Sequence, residues 1–104
     1  MQSVNNETFE EEVLKSDIPV MVEFFSDGCI PCKKMSPILA ELEEEYSDIK
    51  IVKLNINFGA ETAQRCEVLS SPTFLFFKEG KEVKRLRGIA AKDDLEDIIE
   101  EVLQ

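Results

Sequence analysis

Val22-Glu23-Phe24-Phe25-Ser26-Asp27-Gly28-Cys29-Ile30-Pro31-Cys32-Lys33-Lys34-Met35-Ser36-Pro37 joins a strand to a helix in this chain of 104 residues. Its first four residues close a longer run, Pro19 to Phe25, that is nearly all apolar and β-branched, as expected of a strand buried on both faces. One acid, Glu23, interrupts that run. Ser26-Asp27-Gly28 breaks the strand and a helical period takes over, with Met35, Ile38, Leu39, Leu42 and Tyr46 on one face. Cys29 and Cys32 therefore fall at the helix N-terminus, where unpaired N–H groups and the positive dipole end favour thiolate over thiol. Cys32 lies one turn along, within reach of a short disulfide loop. Pro31 suits the first turn, where its missing N–H costs nothing. Lys33 and Lys34 add positive charge, and Pro37 predicts a kink inside the helix.

Upstream, Asn5-Asn6-Glu7 offers N-cap chemistry to a short helix with Phe9, Val13 and Leu14 on its apolar stripe, closed by Asp17 and Pro19. Downstream, Ile49 to Ile56 predicts a strand and Gly59 to Cys66 a short helix. Thr73 to Phe77 and Lys81 to Arg87, joined at Glu79-Gly80, predict a hairpin that Gly88 ends. Leu95, Ile98, Ile99, Val102 and Leu103 form the apolar face of a last helix, with Asp93, Asp94, Glu96 and Asp97 near its positive end. Ala91 offers that helix no good cap. Alternating βαβ units followed by an antiparallel pair predict an α/β fold, a mixed sheet covered by helices. No linker, repeat or low-complexity tract divides the chain, so residues 1–104 read as one domain.

Twenty-two acidic against 12 basic side chains give a net charge of -10, which repels nucleic acid and anionic membrane surfaces. No apolar run approaches the ~20 residues of a membrane helix. Met1-Gln2-Ser3-Val4-Asn5-Asn6-Glu7 has neither the basic nor the apolar part of a signal peptide, which predicts a cytoplasmic location. The chain has no histidine and so lacks the commonest general base and metal ligand. Its three cysteines, Cys29, Cys32 and Cys66, are an odd number without an export signal, unlike a secreted disulfide framework. The pair would be half of a zinc site, but such a site needs four ligands and the chain offers only Cys66 and carboxylates besides. Two buried structural thiols would sit oddly beside Asp27-Gly28 and Lys33-Lys34. A redox dithiol asks for one exposed, ionised cysteine with a second nearby to resolve it. Cys66 reads as an inert thiol at a helix end, with oxidation or intermolecular bonding as the other reading.

With Val52-Lys53-Leu54-Asn55-Ile56-Asn57, Ser71-Pro72-Thr73-Phe74, Gly80 and Gly88, the opening stretch resembles the thioredoxin family over essentially the whole chain. The resemblance implies a central mixed five-stranded sheet flanked by four helices. It implies reversible reduction of protein disulfides without a bound cofactor or metal, Cys29 attacking and Cys32 resolving. Pro72 matches the family's cis-proline, whose turn would let the Ser71 backbone pair with an extended client beside Cys29. From the residues alone Pro72 also reads as an ordinary proline opening a strand. Glu23 stands where the family has a buried aspartate, which implies that it takes the proton of Cys32. An ion pair with Lys53 is a compatible reading.

The chain departs from the family at Gly28 and Ile30, where tryptophan and glycine are usual, and at Phe25, where a second tryptophan is common. Loss of the ring at 28 predicts a flatter rim and a more exposed Cys29. Ile30, with Ile56 and Ile89, predicts an apolar docking patch, although lone isoleucines are more often core. Pro31, Thr73 and Gly88 complete the expected client contacts around Gly28 and Ser71. The implied partners are a thioredoxin reductase, flavoprotein or ferredoxin-linked, and protein disulfide clients, met by a monomer. A disulfide isomerase or oxidant on the same fold and a non-catalytic binding module are the rival readings.

Overall fold

The apolar run interrupted by Glu23 becomes β2 (Val20–Phe25), the middle strand of a five-stranded sheet. A computed structural model describes residues 1–104. β3 (Lys50–Asn55) lies parallel to β2 on one side, and β4 (Thr73–Lys78) lies antiparallel on the other. β1 (Gln2–Val4) adds in parallel to the outer edge of β3, and β5 (Lys81–Arg87) pairs antiparallel with β4, so the order is β1-β3-β2-β4-β5. The five strands match the family resemblance. Hydrophobic patterning alone finds four, because β1 has three residues and buries only Val4.

Alternation along the strands divides the core in two. Val20, Val22, Phe24, Val52, Leu54, Leu75 and Phe77 face one side, where Phe9 and Val13 of the N-terminal segment and Ala63 of α2 (Ala60–Arg65) cover them. Met21, Ile51, Phe74 and Phe76 face the other side. There α1 (Ile30–Glu45) supplies Met35, Leu39 and Leu42, and α3 (Lys92–Leu103) supplies Leu95, Ile99 and Val102. The same parity puts Glu23 with Met21 and Lys53 with Ile51, on the face that α1 covers.

The first helix departs from expectation. Asn5 closes the turn that leads into it, its Oδ1 accepting from the N–H groups of Glu7 and Thr8 at 2.9 Å each, while the helical segment itself starts at Phe9 without a side-chain cap. The following turn, Glu10–Leu14, is π-helical: Lys15 N–H donates to the Glu10 carbonyl five residues back, at 2.9 Å. The wide turn buries Phe9 and Val13 and leaves Leu14 at the surface. Together with the three α-helices it makes up the four helices expected. α1 runs unbroken through Pro37. Pro37 and Lys33, whose carbonyl loses its donor, are both exposed, so water can satisfy that group. α3 begins at Ala91 without a side-chain cap, and Asp93 and Asp94 in its first turn complement the dipole instead. No helix is long and apolar enough to cross a membrane.

Candidate active site

Cys29 is the N-cap of α1, extended at φ -74° and ψ 102°, and its Sγ accepts the Cys32 N–H at 3.1 Å. The Cys29 N–H donates to the Ser26 carbonyl at 3.2 Å, closing a turn in which Gly28 takes φ 75°. A Cβ at Gly28 would meet nothing within 4 Å, so the left-handed backbone, not space, is what favours glycine there. The two cysteines form a disulfide with sulfurs 2.11 Å apart and Cα atoms 5.3 Å apart. Cys29 is half-buried and Cys32 is 5% exposed, so Cys29 presents the more accessible sulfur. Lys33 and Lys34 are exposed in the first turn behind them.

Glu23 and Lys53 line the same cavity of about 200 Å³ as both cysteines, with Phe25 and Ser26 in its wall. Glu23 is 3% exposed and its Oε2 has no hydrogen-bond partner. Burial pushes its carboxyl up to about 7, against the opposing pull of Lys53. Lys53 is the register partner of Glu23 on β3. Its ammonium nevertheless sits 5.5 Å over the Phe25 ring, and the direct ion pair read as one alternative for Glu23 does not form. The ring face offers the cation a partner that needs no desolvated carboxylate.

The Ser71–Pro72 peptide is cis and Pro72 is buried. Gly88 N–H donates to the Pro72 carbonyl at 2.8 Å, which brings the loop after β5 to the loop before β4. Buried Thr73 donates its hydroxyl to the Ser70 carbonyl at 2.8 Å. Between these anchors the Ser71 N–H and C=O make no intramolecular hydrogen bond. The Ser71 hydroxyl lies 2.7 Å from that of Ser26. Pro31 sits in the first turn of α1, as its spacing suggested.

Ile30 and Ile89 are 64% and 60% exposed. Ile56 differs from them: it is half-buried and packs on the core side of Phe9 and Val13. Phe58 and Leu69, on the loops after β3 and before Pro72, are more exposed than either isoleucine, and hydrophobic periodicity does not flag them. A second set of residues escaped sequence reasoning. Asp27 N–H donates to Asn57 Oδ1 at 2.9 Å, Asn55 Nδ2 donates to Asp27 Oδ1 at 3.0 Å, and Asn57 N–H donates to Asn55 Oδ1 at 2.8 Å. They tie the loop before Cys29 to the loop after β3, and their only sequence signal is the spaced Asn55-Ile56-Asn57. Cys66 caps the C-terminal end of α2, half-buried, and burial pushes its thiol up.

Residues 1–101 match the family model described as Thioredoxin. The chain is 40% identical over 104 residues to the M-type chloroplastic thioredoxin of Spinacia oleracea, covering 99% of this chain and 58% of the spinach protein's length. It is 37% identical over 94 residues to a thioredoxin of Rickettsia bellii, covering 89% of this chain and 90% of the relative. Thioredoxin 1 of Synechococcus elongatus is 35% identical over 102 residues, covering 97% of this chain and 95% of the relative.

Proposed function

The chain belongs to the thioredoxin family, and on that premise we propose how its residues divide the work of reducing protein disulfides. It is a thiol–disulfide oxidoreductase whose redox-active pair is Cys29 and Cys32. The observation that carries the division of labour is their unequal exposure at the start of α1: one sulfur reachable at the N-cap, the other buried one turn on.

In the reduced protein, the Cys29 thiolate attacks one sulfur of a client disulfide. A Cys29–client bond forms, the client S–S bond breaks, and the departing client thiolate takes a proton. Cys32 then loses its proton to Glu23 and attacks the Cys29 sulfur. The Cys29–Cys32 disulfide forms and the second client thiolate leaves. The client gains two electrons and the chain loses two, ending in the disulfide state described above. A carboxyl near 7 in the cavity shared with Cys32 suits this transfer at neutral pH.

Family members are recharged by a thioredoxin reductase and act on protein disulfides. For this chain we place a flavoprotein or ferredoxin-linked reductase upstream, and residues 1–104 working as one monomeric domain carrying electrons in the cytoplasm. Matches along nine-tenths or more of the Rickettsia bellii and Synechococcus elongatus proteins support that reading. Client contact falls to Gly28, Ile30, Pro31 and Ile89 on one flank, and to Ser71, Thr73 and Gly88 on the other. Ile56 contributes through its half-exposed side. The unpaired Ser71 backbone supports strand addition by an extended client.

The test is trapping. Cys32→Ser, reduced and mixed with a disulfide-linked protein, is expected to accumulate an adduct through Cys29 that dithiothreitol releases. Cys29→Ser is expected to accumulate none. Equal trapping by both variants, or by neither, overturns the assigned roles.

A further inference from the structure

We infer that Ser26 is a positioning residue for client reduction: its hydroxyl, bonded to that of Ser71, holds the loop that pairs with the client at a set place relative to Cys29. The inference rests on the reading of Cys29 and Ser71 proposed above. Ser26 and Ser71 are 45 residues apart in sequence, one directly after β2 and the other directly before Pro72. Their Oγ atoms lie 2.7 Å apart, the most favourable separation for two hydroxyls. Both residues are half-buried, which limits competition from water.

Ser26 holds two things at once. Its carbonyl accepts the Cys29 N–H, so it fixes the nucleophile's backbone, while its hydroxyl fixes Ser71. No other hydrogen bond, from backbone or side chain, joins residues 26–29 to residues 70–72. The anchors on either side of Ser71, at Ser70 and Pro72, tie it to β4 and to Gly88, and the last β2–β4 register pair, Phe24 with Thr73, stops two residues short of each serine. Beyond that pair the hydroxyls make the one hydrogen bond between the two loops.

The pair is uncharged, so it acts on geometry and leaves sulfur acidity alone. A client that pairs with the Ser71 backbone and offers a sulfur to Cys29 must span both loops at once. A small aromatic disulfide needs Cys29 only. Loss of the clamp should therefore be felt by the first kind of substrate and not by the second.

The experiment compares Ser26→Ala, Ser71→Ala, their combination and Ser26→Thr on two substrates: an extended peptide carrying a disulfide, and 5,5′-dithiobis(2-nitrobenzoate). For Ser26→Ala we expect kcat/KM on the peptide to fall about fivefold, mostly through KM, as for one lost hydrogen bond. Its rate on the aromatic disulfide and its reduction midpoint should stay at the wild-type values, which also shows that the variant folds. Ser26→Thr, which keeps a hydroxyl, should restore peptide turnover. Ser71→Ala should lose the same factor on the peptide, and the double variant no more than either single one. An unchanged peptide rate in Ser26→Ala, equal losses on both substrates, or additive losses in the double variant would overturn the clamp. If the wild-type protein fails to reduce the peptide at all, the reductase reading falls as well. Normal wild-type turnover with Ser26 insensitivity removes the clamp alone.

Discussion

Glu23 is held by the sheet at 3% exposure with one oxygen unbonded, and its carboxyl is raised to about 7 from an ordinary 4.5. An acid whose pKa is higher folded than unfolded binds its proton more tightly in the folded state. Below pH 4.5 both states are protonated and Glu23 exacts no charge penalty. Between pH 4.5 and 7 the unfolded chain ionises the group while the folded protein keeps it protonated, so stability falls by about 3 kcal/mol and levels off above pH 7, where both states are ionised. Glu23→Gln copies the neutral acid, so urea unfolding of the oxidised protein should match wild type near about pH 4 and exceed it by about 3 kcal/mol at about pH 8. A gap of equal size at both values would show that ionisation of Glu23 is not its source. Glu23, Cys29 and Cys32 were legible in the sequence because each breaks a local pattern: an acid in an apolar run, and thiols at a strand-to-helix junction. Ser26 was not, because a serine after a strand is ordinary and its partner lies 45 residues on, brought near only by the β2–β4 pairing. The position of Lys53 over Phe25 was likewise hidden, since register places it beside Glu23 and only side-chain geometry shows where the ammonium goes.

The hairpin between β4 and β5 turns on two left-handed residues, Glu79 at φ 54° and Gly80 at φ 78°. Such two-residue turns match the twist of the flanking strands, and glutamate is an unfavourable choice for the first position. Glu79→Asn is expected to stabilise the protein by about 0.5–1 kcal/mol, read as a higher urea midpoint with an unchanged slope. Gly80→Ala should lower the unfolding free energy by more than about 1 kcal/mol, read as a lower urea midpoint. Besides its left-handed backbone, a Cβ there would sit 2.9 Å from the Leu14 carbonyl oxygen. A neutral Gly80→Ala would mean that the Leu14 turn yields. Glu79-Gly80 was readable as a turn because β4 and β5 flank it with strand patterns. β2, β4, α1 and α3 were readable because period and length agree over many residues. β1 and the π-helical turn were not, for opposite reasons. β1 is too short to show alternation and is held by its pairing with β3, whereas the turn Glu10–Leu14 has a helical stripe whose hydrogen-bond spacing no stripe reveals. Strand order was also beyond local pattern, because placing β3 between β1 and β2 depends on parallel pairings across most of the chain.

With a net charge of -10, the molecule repels itself, and its acids crowd where α1 meets α3. Lys92 is shared there between Glu41 and Glu45, and Glu96 shows the strain as a carboxyl pushed up by burial and by Glu45. The ion pairs lie at the surface and contribute little individually. Salt should therefore raise the melting temperature by a few degrees between about 10 and 300 mM, as screening relieves repulsion more than it weakens pairing. A fall over that range would show that the pairs outweigh the repulsion. The two margins of the sheet are protected unequally. β5 carries Lys81, Lys84, Arg85 and Arg87 along its open edge, a charged border that discourages another chain from adding to it. On the opposite margin, the apolar β3 is screened only by Gln2, Ser3 and Val4. Those residues contribute little to the core, so clipping them would leave most of the packing intact while uncovering a bare row of amides and carbonyls. The first strand then acts as a guard against fibrillar stacking, and solubility over time depends on the opening residues more than their share of the buried surface suggests.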